Sequence, residues 1–447
     1  MGEPDYDVII IGGGPGGLAC AAVLAAEGLR PLIVEKNEHT GGKAVTVSRN
    51  GFQYELGPKL QVPMREPAFR ILLRKLGIEC ELHAIPLDKA ALVYRGRSGA
   101  YKTKVTTQET GQDPGPFFDL WELDEAERAR ALAVMSEIVM LSPERVSELD
   151  DLSMHDFLAG YDIPYPVYSY MAMHANASLA EPIDLVAASE QVRILQQIAF
   201  QGGGGYYKGG FGRVLDVIAD AVRANGGEIW TGARVERIEV ADGRVTGVST
   251  KEHGTVTAPI VVSNAGIQPT VLKLVGVSHF EPAYTDYVRG LAPGWSFTGV
   301  RYFLGKKALQ HNMYMVYADD SWWDTARYQR VMEGQVPDDV ILFMTVPSNF
   351  DPSMAPPGKQ CVITGTICSP DPEAAEVEML YAKTDEMFAR LFPEAWAAVE
   401  RRECDGPREI SVHTRDSVIP GQGGECVGVG QVVGQCGKYK PSPVSPI

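Results

Sequence analysis

The chain has 447 residues, more than one hydrophobic core usually serves, so two or three structural units are expected. Its 45% hydrophobic and 22% charged residues are those of an ordinary globular protein, and a formal net charge of −16 excludes a phosphate-backbone partner such as nucleic acid. Seven scattered cysteines, odd in number and without a CxxC, fit reduced thiols in a cytoplasmic protein and remove dithiol redox chemistry.

In chain order, Tyr6 to Ile11 is a short apolar, β-branched run that predicts a buried parallel strand. The loop Gly12-Gly-Gly-Pro-Gly-Gly17 follows at once, and Leu18 to Glu27 has the alanine and leucine content of a helix, stopped by Gly28. A second strand, Arg30 to Val34, ends at Glu35. The uncharged stretch from Val8 to Ala26 is long enough to cross a bilayer, but the glycine loop breaks it and acidic Glu3, Asp5 and Asp7 precede it. No transmembrane segment and no signal peptide are expected.

This order assigns each residue type a task. Gly12 permits the tight turn, Gly14 admits a pyrophosphate close to the backbone, and Gly17 lets helix and strand pack together, with Pro15 and Gly16 between them. The helix N-terminus offers free N–H groups and a partial positive charge to phosphates. Glu35, eighteen residues beyond Gly17, is placed to accept ribose hydroxyls and disfavours a 2′-phosphate. The strand–glycine loop–helix–strand–acid context is what raises the motif above a common turn.

After Glu35 the chain reads Lys36-Asn-Glu-His-Thr-Gly41-Gly42-Lys43 and then Gly51-Phe-Gln-Tyr-Glu55-Leu56-Gly57-Pro58. This resembles the superfamily of phytoene desaturases, retinol saturases and flavin amine oxidases. The resemblance implies FAD as cofactor, with Lys36 beside the ribose acid, Gly42 and Lys43 along the pyrophosphate, and Gly57, Pro58, Lys59 and Leu60 beside the isoalloxazine. A second match, Tyr206-Tyr-Lys-Gly209-Gly210-Phe-Gly-Arg-Val-Leu215, leads into a helix to Asn225 and on to Val235. It resembles the stretch that re-enters the FAD domain, with the Val235 backbone at the adenine. Asp242-Gly243 predicts a turn between hairpin strands, and Val261-Val-Ser-Asn264 resembles the strand end that leads back out. The family ordinarily adds a last strand, a glycine-rich turn and a helix, to which Ser445-Pro-Ile447 looks like the lead-in.

The expected fold is α/β: a discontinuous Rossmann-type FAD-binding domain with an α+β substrate domain. Its expected parts are 1–85, 205–266 and an apparently incomplete 408–447 for FAD, and 86–204 and 267–407 for substrate. Ser153 is read as a helix N-cap, and Tyr165 to Met173, rich in aromatics and methionine, precedes an apolar helix from Leu185 to Ala199. Such segments line a hydrophobic tunnel or form ordinary core helices. Eight histidines lack metal-ligand spacing, so no metal is expected. His174, Tyr207 and His413 are the groups to inspect for proton chemistry, each with a packing role as its alternative.

The resemblance implies hydride transfer at flavin N5 that forms or reduces a C=C bond in a small hydrophobic substrate, an isoprenoid, a polyene or an alicyclic compound. Peripheral membrane contact is compatible with such a substrate, although no basic amphipathic helix supports it. Direction, electron donor or acceptor and oligomeric state are not set by the residues. Two rivals share the scaffold: a flavin amine oxidase, and a non-catalytic carrier of lipidated partners like the GDP-dissociation inhibitors.

Overall fold

The computed structural model describes residues 3–57, 59–60, 67–78, 84–87, 90–106, 114–292, 294–335, 337–414, 432–433 and 435. Strand β1 (Val8–Ile11) is buried at every position, as is β2 (Pro31–Val34), and both lack the alternation of a strand with one wet face. Between them runs helix α1 (Pro15–Ala26), whose first position is proline, a residue tolerated there because the first N–H groups of a helix are unpaired anyway. Gly28, at φ +89°, ends the excursion.

Two strands from far along the chain complete this sheet. Helix α2 (Phe211–Ala224) packs beside α1 and leads into β3 (Glu228–Trp230), while β4 (Val261–Ser263) lies on the other side of β1. All four strands are parallel, in the order β4–β1–β2–β3, so the sheet is assembled from discontinuous sequence. The hairpin of Val235–Ala241 and Arg244–Thr250 turns at Asp242 and Gly243, both at positive φ, and gains a third strand at Gly254–Thr257. Register shifts after Val235 and after Glu239 account for the imperfect alternation of its first strand.

The second sheet has seven strands in the order Val399–Asp405, Ser296–Leu304, Gln360–Cys368, Leu342–Thr345, Met313–Ala318, Ala90–Arg95 and Tyr101–Thr106. One face carries Tyr302 and Tyr314 against Phe388 and Phe392 of the 374–391 helix and the residue after it. The opposite face meets two partners. Phe303 packs on Phe52 and Tyr54 of the Thr46–Arg49/Phe52–Glu55 hairpin, and Tyr317 bonds the indole of Trp121.

The helical layer over that face contains the predicted segments with shifted ends. Ser153 caps Met154–Ala159 by accepting from Asp156 N–H at 2.9 Å. The aromatic segment is helix Tyr165–Leu179, and the next helix begins at Ala188, three residues later than its apolar run suggests. Backbone bridges from Ala187 to Ser153 and from Val186 to Val432 hold the preceding residues extended.

Candidate functional site

Carboxyl ends of β1, β2 and β4 converge on the glycine loop. Gly12 lies at φ +96°, in the left-handed region that favours glycine, and its N–H donates to Val34 O at 2.9 Å. A Cβ on Gly17 would stand 2.0 Å from Gly12 O, so helix and strand approach only because it is absent. Cβ atoms on Gly14 and Gly16 would meet the Asn264 side chain at 3.3 and 2.8 Å. Asn264 is set there by its own N–H, which donates to Ile11 O at 2.8 Å. The start of α1, its N–H groups unclaimed by any side-chain cap, therefore faces a concavity kept open by missing side chains.

Glu35 is 4% exposed, and its two oxygens accept from Gly13 N–H at 2.7 Å and Asn37 N–H at 2.8 Å. The carboxylate thus fixes the phosphate loop to the end of β2, a task beyond the ribose contact expected of it. Lys36, half-buried, follows. Backbone bonds from Glu35 to Trp230 and Ala233 hold the approach to Val235, which opens its strand opposite Thr250. Gly41 N–H donates to Gly13 O at 2.9 Å, which brings the Gly42–Lys43 turn over the loop. These residues fit a dinucleotide pyrophosphate, and their chemistry is that of backbone donors rather than charged side chains.

From this loop the described structure continues toward the second sheet. The Pro407–Thr414 helix packs on the Gly42–Ala44 turn, and Gly57 N–H bonds the Asp405 carboxylate. Asp405 pairs with Arg301 at 2.7 Å, and the guanidinium also lies 4.6 Å over the Tyr54 ring. Burial pushes the Asp405 carboxyl up, against the opposing pull of Arg301, Lys59 and Gly57 N–H. Burial likewise lowers the Lys59 ammonium, against the pull of Glu55 and Asp405, and Lys59 donates to Leu56 O. Glu55 accepts from Thr46 Oγ1, Phe211 N–H and the Tyr206 hydroxyl. Lys59 and Leu60 keep some accessible surface although the surrounding protein desolvates the ammonium.

Strand register sets out the face of the second sheet that adjoins this seam. Leu92 stands opposite Met315, Met315 opposite Phe343, Phe343 opposite Gly365, and Gly299 opposite Asp405. The pairs Thr298 with Thr366 and Arg301 with Ile363 set Gly299 opposite Gly365. Partners in register share a face, so one row runs from apolar Leu92, Met315 and Phe343 across two glycines to Asp405. Tyr54 and Phe52 cover one side of the row, and Trp121 and Tyr170 cover Tyr317 on the other.

The three groups singled out for proton chemistry separate. Tyr207 is 2% exposed and packs edge-on against Phe69 and Phe211, in the core beneath α2. His174 lies in the helical layer, where burial lowers its imidazole to about 4, so it is neutral at ordinary pH. Pro58 and the His413 side chain lie outside the described residues. Sequence reading missed Arg301, Asp405 and the Gly299–Gly365 pair. A signal existed in the alternating strand 296–304, but only pairing with strands from five other segments shows which face is functional.

Residues 15–414 match the family described as flavin containing amine oxidoreductase. This chain belongs to that family. FAD is the cofactor, and the expected α/β fold and the likeness to desaturases and saturases both hold. Phytoene desaturase of Fusarium fujikuroi is 25% identical over 391 residues, covering 81% of this chain and 66% of that protein. Human all-trans-retinol 13,14-reductase is 26% identical over 407 residues, covering 80% and 64%. The chain thus spans about two thirds of the length of these curated relatives. The crystal structure of an oxidoreductase from Methanosarcina mazei superposes with TM-score 0.69 at 19% identity, over 95% of this chain and 98% of that one, which fixes the fold. No described helix is long and apolar enough to cross a membrane.

Proposed function

We propose that this protein is an FAD-dependent oxidoreductase that forms or removes a C=C bond in a hydrophobic, unsaturated substrate. The observation that carries the reading is the apolar row Leu92, Met315, Phe343, Gly365 and Gly299, which ends at the Asp405–Lys59 seam. Bound FAD supplies a hydride acceptor or donor at N5 of its isoalloxazine. The loop Gly12, Gly14, Pro15, Gly16 and Gly17 would hold the pyrophosphate, with Gly42, Lys43 and Asn264 beside it. Glu35 and Lys36 would face the ribose, Val235 the adenine, and Gly57, Pro58, Lys59 and Leu60 the isoalloxazine.

The protein's own part is positioning and exclusion of water. Two adjacent glycines leave a flat floor on which a planar conjugated segment can lie, and Met315 and Phe343 give it dispersion contacts without a competing polar group. Relatives named for phytoene and for retinol support a polyene or isoprenoid over an amine. A cytoplasmic setting, with peripheral access to lipid, is part of the same reading.

The deciding experiment is the visible spectrum of the purified protein before and after FAD, followed by anaerobic mixing with polyenes and alicyclic enones. A flavin spectrum, bleached by dithionite and changed by a polyene or enone, is expected. Hydrogen peroxide on addition of amines, with no response to polyenes, would establish the amine oxidase instead. A colourless protein that refuses FAD would establish a carrier of lipidated partners.

A further inference from the structure

Tyr170 and His174 lie four residues apart on the helix Tyr165–Leu179 and so share one face of it. Their environment is aromatic. Tyr170 has Trp121 at 5.0 Å, His174 at 6.1 Å, Tyr317 at 6.3 Å and Phe117 at 6.4 Å between ring centres. Tyr317 belongs to the face of the seven-stranded sheet that carries the apolar row, two residues beyond Met315. The Tyr170–His174 face therefore stands over the end of that row away from Arg301.

Neither polar tip has a partner among the described residues. Tyr170 Oη makes no hydrogen bond among the described residues, and neither does His174 Nε2. His174 Nδ1 stands 2.8 Å from Gln191 Nε2 and 3.2 Å from Ser178 Oγ; the amide orientation that gives Gln191 Nε2–H to Nδ1 leaves the ring proton on Nε2, which points away from that pair. His174 is 8% exposed, and the carbonyl oxygen of Gln191 is buried without a partner. Burial pushes the Tyr170 phenol up to about 12, and the residue is half-buried rather than fully enclosed. A hydrocarbon gives these groups nothing, and leaving buried donors unpaired is unfavourable.

We propose that Tyr170 Oη–H and His174 Nε2–H form a subsite for an uncharged oxygen, a carbonyl or a hydroxyl, at one end of the unsaturated substrate. The inference rests on the reading of the row as the substrate floor and narrows it from hydrocarbons to oxygenated polyenes or enones. A carbonyl accepts both donors. A hydroxyl accepts one or both. No charge contributes to the environment of either ring, so a carboxylate would enter without a counter-ion and is excluded.

The test uses the FAD-loaded protein and four ligands of one polyene skeleton: all-trans-retinol, all-trans-retinal, retinoic acid and the corresponding hydrocarbon. Affinity is read by quenching of tryptophan fluorescence, which is independent of turnover. The alcohol or the aldehyde should bind at least tenfold tighter than hydrocarbon and acid. Tyr170→Phe should remove most of that preference while hydrocarbon affinity, melting temperature and bound flavin stay unchanged. His174→Gln, which keeps a donor, should retain more of it than His174→Leu. Aldehyde preferred over alcohol identifies the carbonyl, and the reverse the hydroxyl. Equal affinity for hydrocarbon and oxygenated ligands, or a preference that survives both Tyr170→Phe and His174→Leu, overturns the subsite and leaves the C=C reading standing. Failure of all four ligands to bind overturns both.

Discussion

The parallel sheet and the seven-stranded sheet handle polar groups by opposite means. Around the glycine loop the polar groups are backbone N–H donors, and the structural demand is for absent side chains: a Cβ on Gly17 would sit 2.0 Å from Gly12 O. At the seam with the second sheet the demand is for particular charges held in the interior: Arg301 paired with Asp405, Lys59 donating to Leu56 O, and Tyr206 on Glu55. An open cradle tolerates an anion because N–H dipoles are fixed in place. A dry seam tolerates ions only as complete pairs.

Breaking the seam should have the largest effect. Arg301→Met leaves Asp405 buried without its cation, and we expect a loss of about 4 kcal/mol in thermal or urea unfolding. Adding Asp405→Asn should restore part of it, and full additivity of the two changes would show that they are not a pair.

The helical layer supplies a pH test of the same idea, that a buried ion needs a partner. Glu181 is fully buried, one oxygen accepts from Trp295 N–H at 3.0 Å, and burial pushes its carboxyl up to about 8. An unfolded glutamate ionises near 4.3, roughly. Between these values the folded state holds the proton that the unfolded state releases, so stability falls as pH rises through that window and levels off above it. Glu181→Gln should flatten that fall in melting curves taken across the range.

Gly17→Val is expected to lower stability by about 2 kcal/mol and to abolish bound-flavin absorbance. Retained flavin in that variant would mean that the loop relaxes, contrary to the tight approach seen here. Phe343→Ala should act on substrate alone: about tenfold weaker polyene affinity, roughly 1.4 kcal/mol, with flavin content unchanged. Equal losses of flavin and substrate would place Phe343 in the cofactor site instead.

Much of the first region was legible from residue order. The run from Tyr6 to Glu35 holds a whole strand–loop–helix–strand unit, and the need for Gly17 follows from a contact within it, whereas Gly14 and Gly16 face Asn264 from far along the chain. Glu35 stood out by its place at the end of the second strand, while its bond to Gly13 N–H needed the folded loop. Of the proton candidates, Tyr207 went to the core, whereas its neighbour Tyr206 reached Glu55. A two-residue period separates the faces of a strand but does not say which face meets which partner.

The sequence by itself determined the dinucleotide loop, its acid and the family resemblance, because glycine conformation and close backbone approach are properties of neighbouring residues. Only the tertiary structure decided the apolar row, the Arg301–Asp405–Lys59 seam and the pairing of Tyr170 with His174 over Tyr317. Those depend on register among strands drawn from residues 90 to 405, and register is fixed by how the faces pack, not by any local run of residues.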